Sequence, residues 1–297
     1  MDDSLFEGFR TERVRTSGAD LRCVVGGSGP PVLLLHGYPQ SRHAWHRVAP
    51  GLVAKGFTVV APDLRGYGES IALDPNEAEA YSKRTLARDQ VELMQALGFT
   101  RFALVGHDRG ARVGYRLALD HPERVSAYAS LTVIPTVEIW ERVNRAFAFN
   151  AYHWFFLSQP FDLPERLLAG DPDGFLAWTL RKMADGRDIY DPRALAAYHV
   201  AFRDPAVRHA MCEDYRSAMT FDAEAESADR DGGRRLACPV LVLLPETSSA
   251  ASPHPLDIWR SWADDVRGAS VASSHMMPED VPDFVVGQLV PFLDGAR

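Results

Sequence analysis

The chain has 297 residues, of which 46% are hydrophobic and 24% are charged, and its formal net charge is −8. This length and composition predict one sizeable globular unit, and the negative charge argues against nucleic acid or an anionic membrane as a partner. The three cysteines are far apart in sequence, so neither a disulfide framework nor a metal site is expected. An acidic N-terminus without an apolar segment, and the lack of a membrane-length apolar run, predict a cytoplasmic protein.

The first elements in chain order predict a sheet. Two β-type stretches at residues 11–15 and 21–25 precede an apolar run at residues 31–35. A continuous apolar run of this kind is typical of a parallel strand that is buried on both faces. A helix is expected over residues 42–55, and residues 57–61 predict the next strand.

The middle of the chain continues the alternation of helices and strands. Apolar residues at helical spacing predict a helix over residues 82–98. A short apolar strand at residues 102–105 leads into another helical pattern, and a further strand is expected over residues 125–134. Such alternation is typical of an α/β protein with a mostly parallel, doubly wound sheet.

The pattern changes at residues 136–221, where aromatic residues are frequent and no strand is indicated. We interpret this segment as a helical cap inserted into an α/β core made of residues 1–135 and 222–297. The core resumes after the cap with four further predicted elements: a strand at residues 239–244, a helix at 256–263, a strand at 269–272 and a helix at 284–293.

The stretch VGHDRG at residues 105–110 lies where the strand at residues 102–105 turns into a helix. A strand that enters a helix through G-x-x-x-G is the nucleophile elbow of the α/β-hydrolases, whose middle residue is usually serine. Here it is Asp108, and a carboxylate is an effective nucleophile at saturated carbon but not at acyl carbon. An aspartate that merely caps the helix requires neither the flanking glycines nor the preceding strand, so we predict that Asp108 is a nucleophile.

Two loops are expected to assist Asp108. His275 follows the last predicted strand, where this fold places the histidine base that activates water. The sequence HGYP at residues 36–39 ends an earlier strand. The backbone N–H groups of Tyr38 and Arg109 are therefore predicted to form the oxyanion hole.

Cationic and aromatic side chains suggest how a substrate is held. Arg109 and Arg112 lie on the first turn after the elbow, and two guanidiniums beside free backbone N–H groups form an anion site suited to a carboxylate. In the cap, His153, Trp154 and Tyr215 offer neutral hydrogen-bond donors for a leaving anion or an epoxide oxygen. For each aromatic residue taken alone, packing in the cap core is the default interpretation.

The elbow sequence GHDRGAR at residues 106–112, together with HGYPQ at residues 36–40, resembles the fluoroacetate dehalogenases of the α/β-hydrolase superfamily. The similarity extends nearly end to end and includes residues 152–154 and 211–216 of the cap. The resemblance implies an α/β-hydrolase fold in which Asp108 displaces halide from a 2-haloacid and His275 directs water at the resulting ester. It also implies an enzyme without cofactor or metal, often a homodimer.

The same resemblance implies the roles of the remaining site residues. Arg109 and Arg112 hold the substrate carboxylate. The halide pocket is formed by His153, Trp154 and Tyr215.

One position departs from the family pattern. The family places its triad acid, an aspartate, at the end of the strand after the elbow helix, where this chain has Thr132. Glu246, in the loop after the next strand, is a second possible location for the acid in this fold. Without an acid the ester is expected to form but to hydrolyse slowly, because the orienting carboxylate of such a relay contributes several powers of ten in rate.

Two other functions remain open on the sequence. Epoxide hydrolases use the same Asp–His pair with cap phenols, of which Tyr215 is the one candidate here. A catalytically weak relative that only binds small carboxylates is the other, and Thr132 is the residue that favours it.

Overall fold

The computed structural model describes residues 4–77, 79–249, 251 and 253–295. Within this part of the chain nine strands form one sheet. In chain order they are β1 (Arg10–Arg15), β2 (Ala19–Gly26), β3 (Pro31–Leu35), β4 (Thr58–Pro62), β5 (Ile71–Ala72), β6 (Phe102–His107), β7 (Val125–Leu131), β8 (Val240–Pro245) and β9 (Val266–Val271). Their spatial order is β1-β2-β4-β3-β6-β7-β8-β9, with β5 paired to β2.

In spatial order, the neighbouring strands β4, β3, β6, β7, β8 and β9 pair in parallel. Strand β2 pairs antiparallel with its neighbours β1, β4 and β5. The sheet therefore has the mostly parallel α/β architecture that the alternating pattern predicts. Because parallel neighbours end at one edge, the loops that follow β3, β6 and β7 meet there, which is where open α/β sheets bind ligands.

Fifteen α-helices cover the sheet or lie between its strands in the described residues. They are α1 (Ala49–Ala54), α2 (Lys83–Ala96), α3 (Arg109–Asp120), α4 (Thr136–Trp140), α5 (Arg145–Asn150), α6 (Tyr152–Leu157), α7 (Leu163–Gly170), α8 (Pro172–Met183), α9 (Pro192–Arg203), α10 (Pro205–Met219), α11 (Phe221–Asp231), α12 (Glu246–Ser249), α13 (Pro255–Trp262), α14 (Met277–Asp280) and α15 (Pro282–Asp294). None of the helices in these residues combines the length and apolarity needed to cross a membrane.

The central strands are apolar on both faces because each face packs against its own core. In β3, Leu33 and Leu35 belong to one buried cluster, whereas Val32 and Leu34 belong to the other. Side chains alternate across a strand, so a continuous apolar run supplies both cores at once. This is the physical reason that residues 31–35 were identifiable as a strand.

Two predicted elements differ from the structure. The helix expected over residues 42–55 is split into a 3₁₀ turn, Arg42–Trp45, and α1, because Pro50 lacks an N–H group and suits the first turn of a new helix. The strand expected over residues 125–134 ends with β7 at Leu131, because Thr132 has φ 69°, which no strand adopts.

The chain between β7 and β8 contains α4 to α11 and, in the described residues, no strand. This segment is therefore helical, as its composition predicted, while its role as an inserted cap stays a prediction. Its last helix, α11, is anchored to the core, since Asp222 accepts a hydrogen bond from the Lys83 N–H (2.7 Å) and Glu226 accepts one from the Tyr115 hydroxyl. The cap boundary at residue 221 stays a prediction.

Candidate active site

Asp108 lies at a sharp turn between β6 and α3, with φ 49° and ψ −115°. A β-carbon on Gly106 would lie 2.4 Å from the Ala111 Cα, and one on Gly110 would lie 2.2 Å from the Leu35 carbonyl oxygen. Only glycine fits at these two positions, which explains the G-x-x-x-G spacing. The Asp108 side chain makes no capping hydrogen bond to α3, so the capping alternative does not apply.

The two carboxylate oxygens of Asp108 have different partners. Oδ1 accepts a hydrogen bond from the Tyr38 N–H at 2.9 Å, whereas Oδ2 lies 3.4 Å from Nε2 of His275. Gly37 permits this approach, because a β-carbon there would lie 2.5 Å from the Asp108 Cβ. The predicted oxyanion donor and the predicted base therefore contact the same carboxylate, each at a different oxygen.

The Asp108 carboxyl is ionised despite being nearly buried. Burial opposes ionisation, but the hydrogen bond from His275 and the nearby His275 and Arg109 outweigh it. Together they hold the pKa of Asp108 well below its usual range. A carboxylate of this kind is available as a nucleophile at neutral pH.

His275 is held through its main chain. Its N–H donates to the Met183 carbonyl at 3.2 Å, and its carbonyl accepts from Nε2 of His107 at 2.8 Å. Burial lowers the pKa of His107 to about 4, so this imidazole is neutral and its Nε2 carries the proton. Among the described residues, Asp108 is the one carboxylate within 4 Å of the His275 ring nitrogens.

Neither predicted position supplies an acid to His275. Thr132 lies at the end of β7, where its N–H donates to the Leu243 carbonyl at 2.9 Å and its buried Oγ1 has no hydrogen-bond partner. Glu246 is exposed at the start of α12 and forms no ion pair with His275 in the described part of the chain. The structure thus does not bring Glu246 to the relay.

A cavity of about 890 Å³ opens beside Asp108. Arg112, Thr132 and His275 line it together with Asp108, as do several aromatic and apolar residues of the cap. Lys182 and Arg142 also border it. These cations give an anionic substrate a favourable local potential in spite of the overall negative charge of the chain.

Arg112 is the cation best placed for a substrate anion. Its Nη1 donates to the Ile134 carbonyl (3.2 Å) and to Thr136 Oγ1 (2.9 Å), and its guanidinium stacks 4.7 Å from the Trp154 ring. The structure records no carboxylate partner for it in the described residues, and its buried Nε–H has no acceptor. A buried cation without a counter-ion is costly, so the site favours an anion.

Arg109 is held differently. Its Nε and Nη2 donate to both carboxylate oxygens of Asp214 on α10, at 2.9 and 2.7 Å, and the guanidinium lies 4.3 Å from the Tyr215 ring. Lys83 also pairs with Asp214, and the charges of Arg109 and Lys83 lower the pKa of that carboxyl against the effect of burial. Nη1 of Arg109 has no partner, but Arg109 is fully buried and is not among the residues that line the cavity.

Asp214 was not predicted as a site residue, although it lies in the stretch 211–216 that resembles the fluoroacetate dehalogenases. Nothing in the sequence indicated that its partner would be 105 residues earlier. Arg116, further along α3, pairs with Asp120 at 3.0 Å.

The three predicted halide donors lie together. The Tyr215 ring centroid is 5.7 Å from that of His153 and 6.1 Å from that of Trp154. Burial lowers the pKa of His153 to about 3, so its imidazole is neutral. Burial also raises the pKa of Tyr215 well above its usual value, and its buried hydroxyl has no hydrogen-bond partner.

A second phenol was not predicted as a donor. The Tyr38 ring contacts Tyr215 edge to face at 5.3 Å and stacks on His153 at 5.8 Å. Its hydroxyl is also buried without a partner, and burial raises its pKa well above the usual value. The sequence analysis used only the backbone N–H of this residue.

The described residues contain one group with metal-ligand geometry, formed by Glu165, His209 and Glu213 on the cap. The guanidinium of Arg216 donates to both glutamates at 2.7 Å. An internal cation therefore already neutralises this group, which lies among cap helices.

Comparison with known proteins identifies the family to which the chain is related. The model of the α/β hydrolase fold family matches residues 30–266. A fluoroacetate dehalogenase from Burkholderia sp. is 44% identical over 99% of this chain and 96% of its own length. A soluble epoxide hydrolase from Corynebacterium sp. is 30% identical over 95% of this chain and 96% of its own length.

A solved Pseudomonas aeruginosa protein, described as a candidate epoxide hydrolase, is 61% identical with a TM-score of 0.96, covering 100% of this chain and 99% of that one. A threonine-to-aspartate variant of the same protein has also been solved, alone and with bound MFA.

Proposed function

The chain belongs to the α/β-hydrolase fold family, within the group that contains the fluoroacetate dehalogenases, and we propose that it hydrolyses the carbon–halogen bond of a small 2-haloacid. The reaction proceeds through a covalent ester on Asp108. One observation carries this proposal: an ionised elbow carboxylate shares a cavity with Arg112, a cation that forms no ion pair among the described residues and whose buried Nε–H has no acceptor.

The first half-reaction follows from the partners of the two Asp108 oxygens. The Tyr38 N–H holds Oδ1, so Oδ2 is the oxygen that attacks C2 of the substrate. The new bond is Oδ2–C2, and the C2–halogen bond breaks with its electron pair leaving on the halide. Arg112 binds the carboxylate, while His153, Trp154 and Tyr215 stabilise the halide with neutral donors.

The second half-reaction returns the enzyme to its starting state. His275 accepts a proton from water, whose oxygen attacks Cγ of Asp108. The negative charge develops on Oδ1, where the Tyr38 N–H already donates. Collapse breaks the Cγ–Oδ2 bond, and the alkoxide of the released 2-hydroxy acid takes the proton from His275. Asp108 is left as a carboxylic acid that contains one oxygen from water, and it returns to the carboxylate by losing its remaining proton to solvent.

Thr132 makes this second half-reaction the slow one. A hydroxyl can accept a hydrogen bond from imidazole, but it cannot stabilise the imidazolium that forms when His275 takes a proton. Alkylation of Asp108 requires no such charge. The ester is therefore expected to accumulate during turnover.

Intact-protein mass spectrometry after incubation with fluoroacetate or chloroacetate tests the proposal. We expect a mass increase of one carboxymethyl group, located on Asp108 by peptide mapping, together with release of halide. Asp108→Asn should form no adduct and release no halide. Halide release that survives in this variant contradicts the nucleophile assignment.

Epoxide hydrolysis is a second candidate function, favoured by the Tyr38 and Tyr215 phenols, whose rings are in edge-to-face contact. Two phenols that remain protonated and lack partners are suited to donate to an epoxide oxygen. Diol formation from a neutral epoxide, without reaction with either haloacetate, favours this alternative. If the protein is instead a catalytically weak relative that only binds carboxylates, it should bind haloacetate without forming an adduct. The homodimer stays a prediction.

A further inference from the structure

Glu279 is a fully buried carboxyl that the proposed reaction does not use. It lies on α14, four residues after His275, and its side chain is covered by three elements. Oε2 accepts a hydrogen bond from the Gln40 amide, and Oε1 accepts one from the Tyr198 hydroxyl at 3.2 Å. The carboxyl thus connects the His275 loop, the loop after β3 and the cap helix α9.

Gln40 is the residue that extends this connection to the catalytic centre. Its N–H donates to the Gly37 carbonyl at 3.0 Å, within the turn whose Tyr38 N–H holds Asp108. Gln40 is buried, and its Nε2 also lies 3.5 Å from the Tyr198 oxygen. Glu279 and Gln40 therefore join the loop of the predicted base to the loop of the oxyanion donor.

The groups around Glu279 leave its carboxyl without a direct cation. From the turn after Trp45, Arg47 donates to the Glu279 main-chain carbonyl at 2.7 Å rather than to the carboxylate. From α9 come the Tyr198 phenol and, before its first turn, the negatively charged Asp191. On α14 itself, Asp280 pairs with Arg187 at 2.8 Å.

The hydrogen bonds fit a protonated carboxyl. As placed, the Gln40 Oε1 is buried without a partner. Rotating that amide by half a turn exchanges its oxygen and nitrogen, a choice that hydrogen bonding alone decides. A protonated Glu279 would then donate to Gln40 Oε1 and still accept from Tyr198, while the Gln40 N–H groups would take the buried position that Oε1 occupies now.

We propose that Glu279 is a positioning residue, which through Gln40 and Tyr198 fixes the His275 loop relative to the Tyr38 oxyanion donor. This inference rests on the proposed function, because the loops it joins are those of the ester-hydrolysis step. Burial raises the pKa of Glu279 to about 8. Above that pH the carboxyl ionises, loses its bond to Gln40 Oε1 and becomes an uncompensated buried charge.

The pH dependence of stability provides a test that needs no substrate. Because its pKa is higher in the folded than in the unfolded chain, Glu279 contributes stability that is complete below its ordinary pKa and is lost as pH rises toward about 8. Glu279→Gln cannot titrate. The melting temperature of the wild type should therefore fall relative to that of the variant as pH rises from 5 to about 8.

The enzymatic test compares adduct formation with adduct decay in three variants at pH 6 to 10. Glu279→Gln should keep the wild-type decay rate at pH 7 and lose the alkaline decline. Glu279→Leu should slow decay by about 10- to 100-fold, the size of effect that small misplacements of catalytic groups produce. Adduct formation should change much less. Glu123→Gln, at an exposed glutamate, is the matched control.

Tyr198→Phe removes one hydrogen bond without placing a gap in the core, so it serves if Glu279→Leu does not fold. It should slow ester decay by a smaller factor. Ester decay at wild-type rates in Tyr198→Phe and Glu279→Leu, or an unchanged alkaline limb in Glu279→Gln, refutes the positioning role. A wild-type protein that neither forms an adduct nor releases halide refutes the proposed function, and the positioning role with it.

Discussion

Replacing Thr132 by aspartate should accelerate release of the ester from Asp108. Thr132 follows β7 directly, lines the cavity with His275, and has a buried hydroxyl that bonds to nothing. An aspartate there would place a carboxylate where the fold expects the acid that stabilises protonated His275. Removing that carboxylate from a serine-protease triad lowers kcat by about 10⁴-fold, which sets the upper limit for the acceleration of ester decay. Because this site is not adapted to a carboxylate, we expect Thr132→Asp to accelerate ester decay by about 10- to 10³-fold.

The backbone at this position permits a matched control. Thr132 has φ 69°, and a residue held in this region costs roughly 1–3 kcal/mol, most for a β-branched side chain. Asparagine and aspartate tolerate the left-handed region better. Thr132→Asn should therefore recover about 1 kcal/mol, equivalent to a rise in Tm of about 2 °C for a chain of this size, without supplying a charge.

The assay is a single-turnover measurement. Each protein is alkylated with chloroacetate, freed of excess reagent, and followed by intact mass as the carboxymethyl adduct disappears. The ratio of decay rates between Thr132→Asp and Thr132→Asn isolates the carboxylate from the change in backbone strain. Equal rates in the two variants would show that the missing charge is not what limits the wild type.

Three further predictions concern the same site. Arg112→Gln should raise KM for haloacetate by about 10- to 100-fold, the value of a hydrogen bond to a charged group, with little change for a neutral epoxide; an unchanged haloacetate KM contradicts the assignment. The rate of adduct formation should stay constant from pH 9 down to about 4, because the lowered pKa of Asp108 keeps it ionised below the usual range; a midpoint near neutrality would require a different nucleophile. Glu246→Gln should keep the rate of ester decay within about 2-fold of the wild-type rate, as is normal for an exposed residue that forms no ion pair with the site. A large decrease in that rate would restore Glu246 as the acid.

Local patterns predicted the elements and the elbow, whereas pairings between distant residues were not predictable. The run at residues 31–35 and the glycines around Asp108 are local signatures with one structural solution each. The pairs Arg109–Asp214 and Gln40–Glu279 join residues 105 and 239 positions apart, and such partners follow from the packing of the whole fold. The Arg42–Trp45 turn was missed because its period resembles that of the helix after it.

At Thr132, one property was predictable from the sequence and another was not. Its role as the site of a missing acid followed from its place after the strand. Its positive φ could not be read from the sequence, since threonine is among the residues least suited to that conformation. Functional positions of this kind depart from local preference and are held by the surrounding structure.

Asp214 has a consequence for how a substrate enters. This cap residue is the counter-ion of Arg109 and Lys83, all three fully or almost fully buried. Lifting the cap would leave Arg109 without this counter-ion, and breaking a buried pair costs about 3–5 kcal/mol. The cap is therefore expected to stay closed during turnover, with substrate and product passing through an opening at its side. Trp178 lines the cavity while 52% exposed, and Lys182 lies beside it, so these two residues mark the expected opening. Substitutions of these residues should alter the rate of substrate entry and leave the chemical steps unchanged.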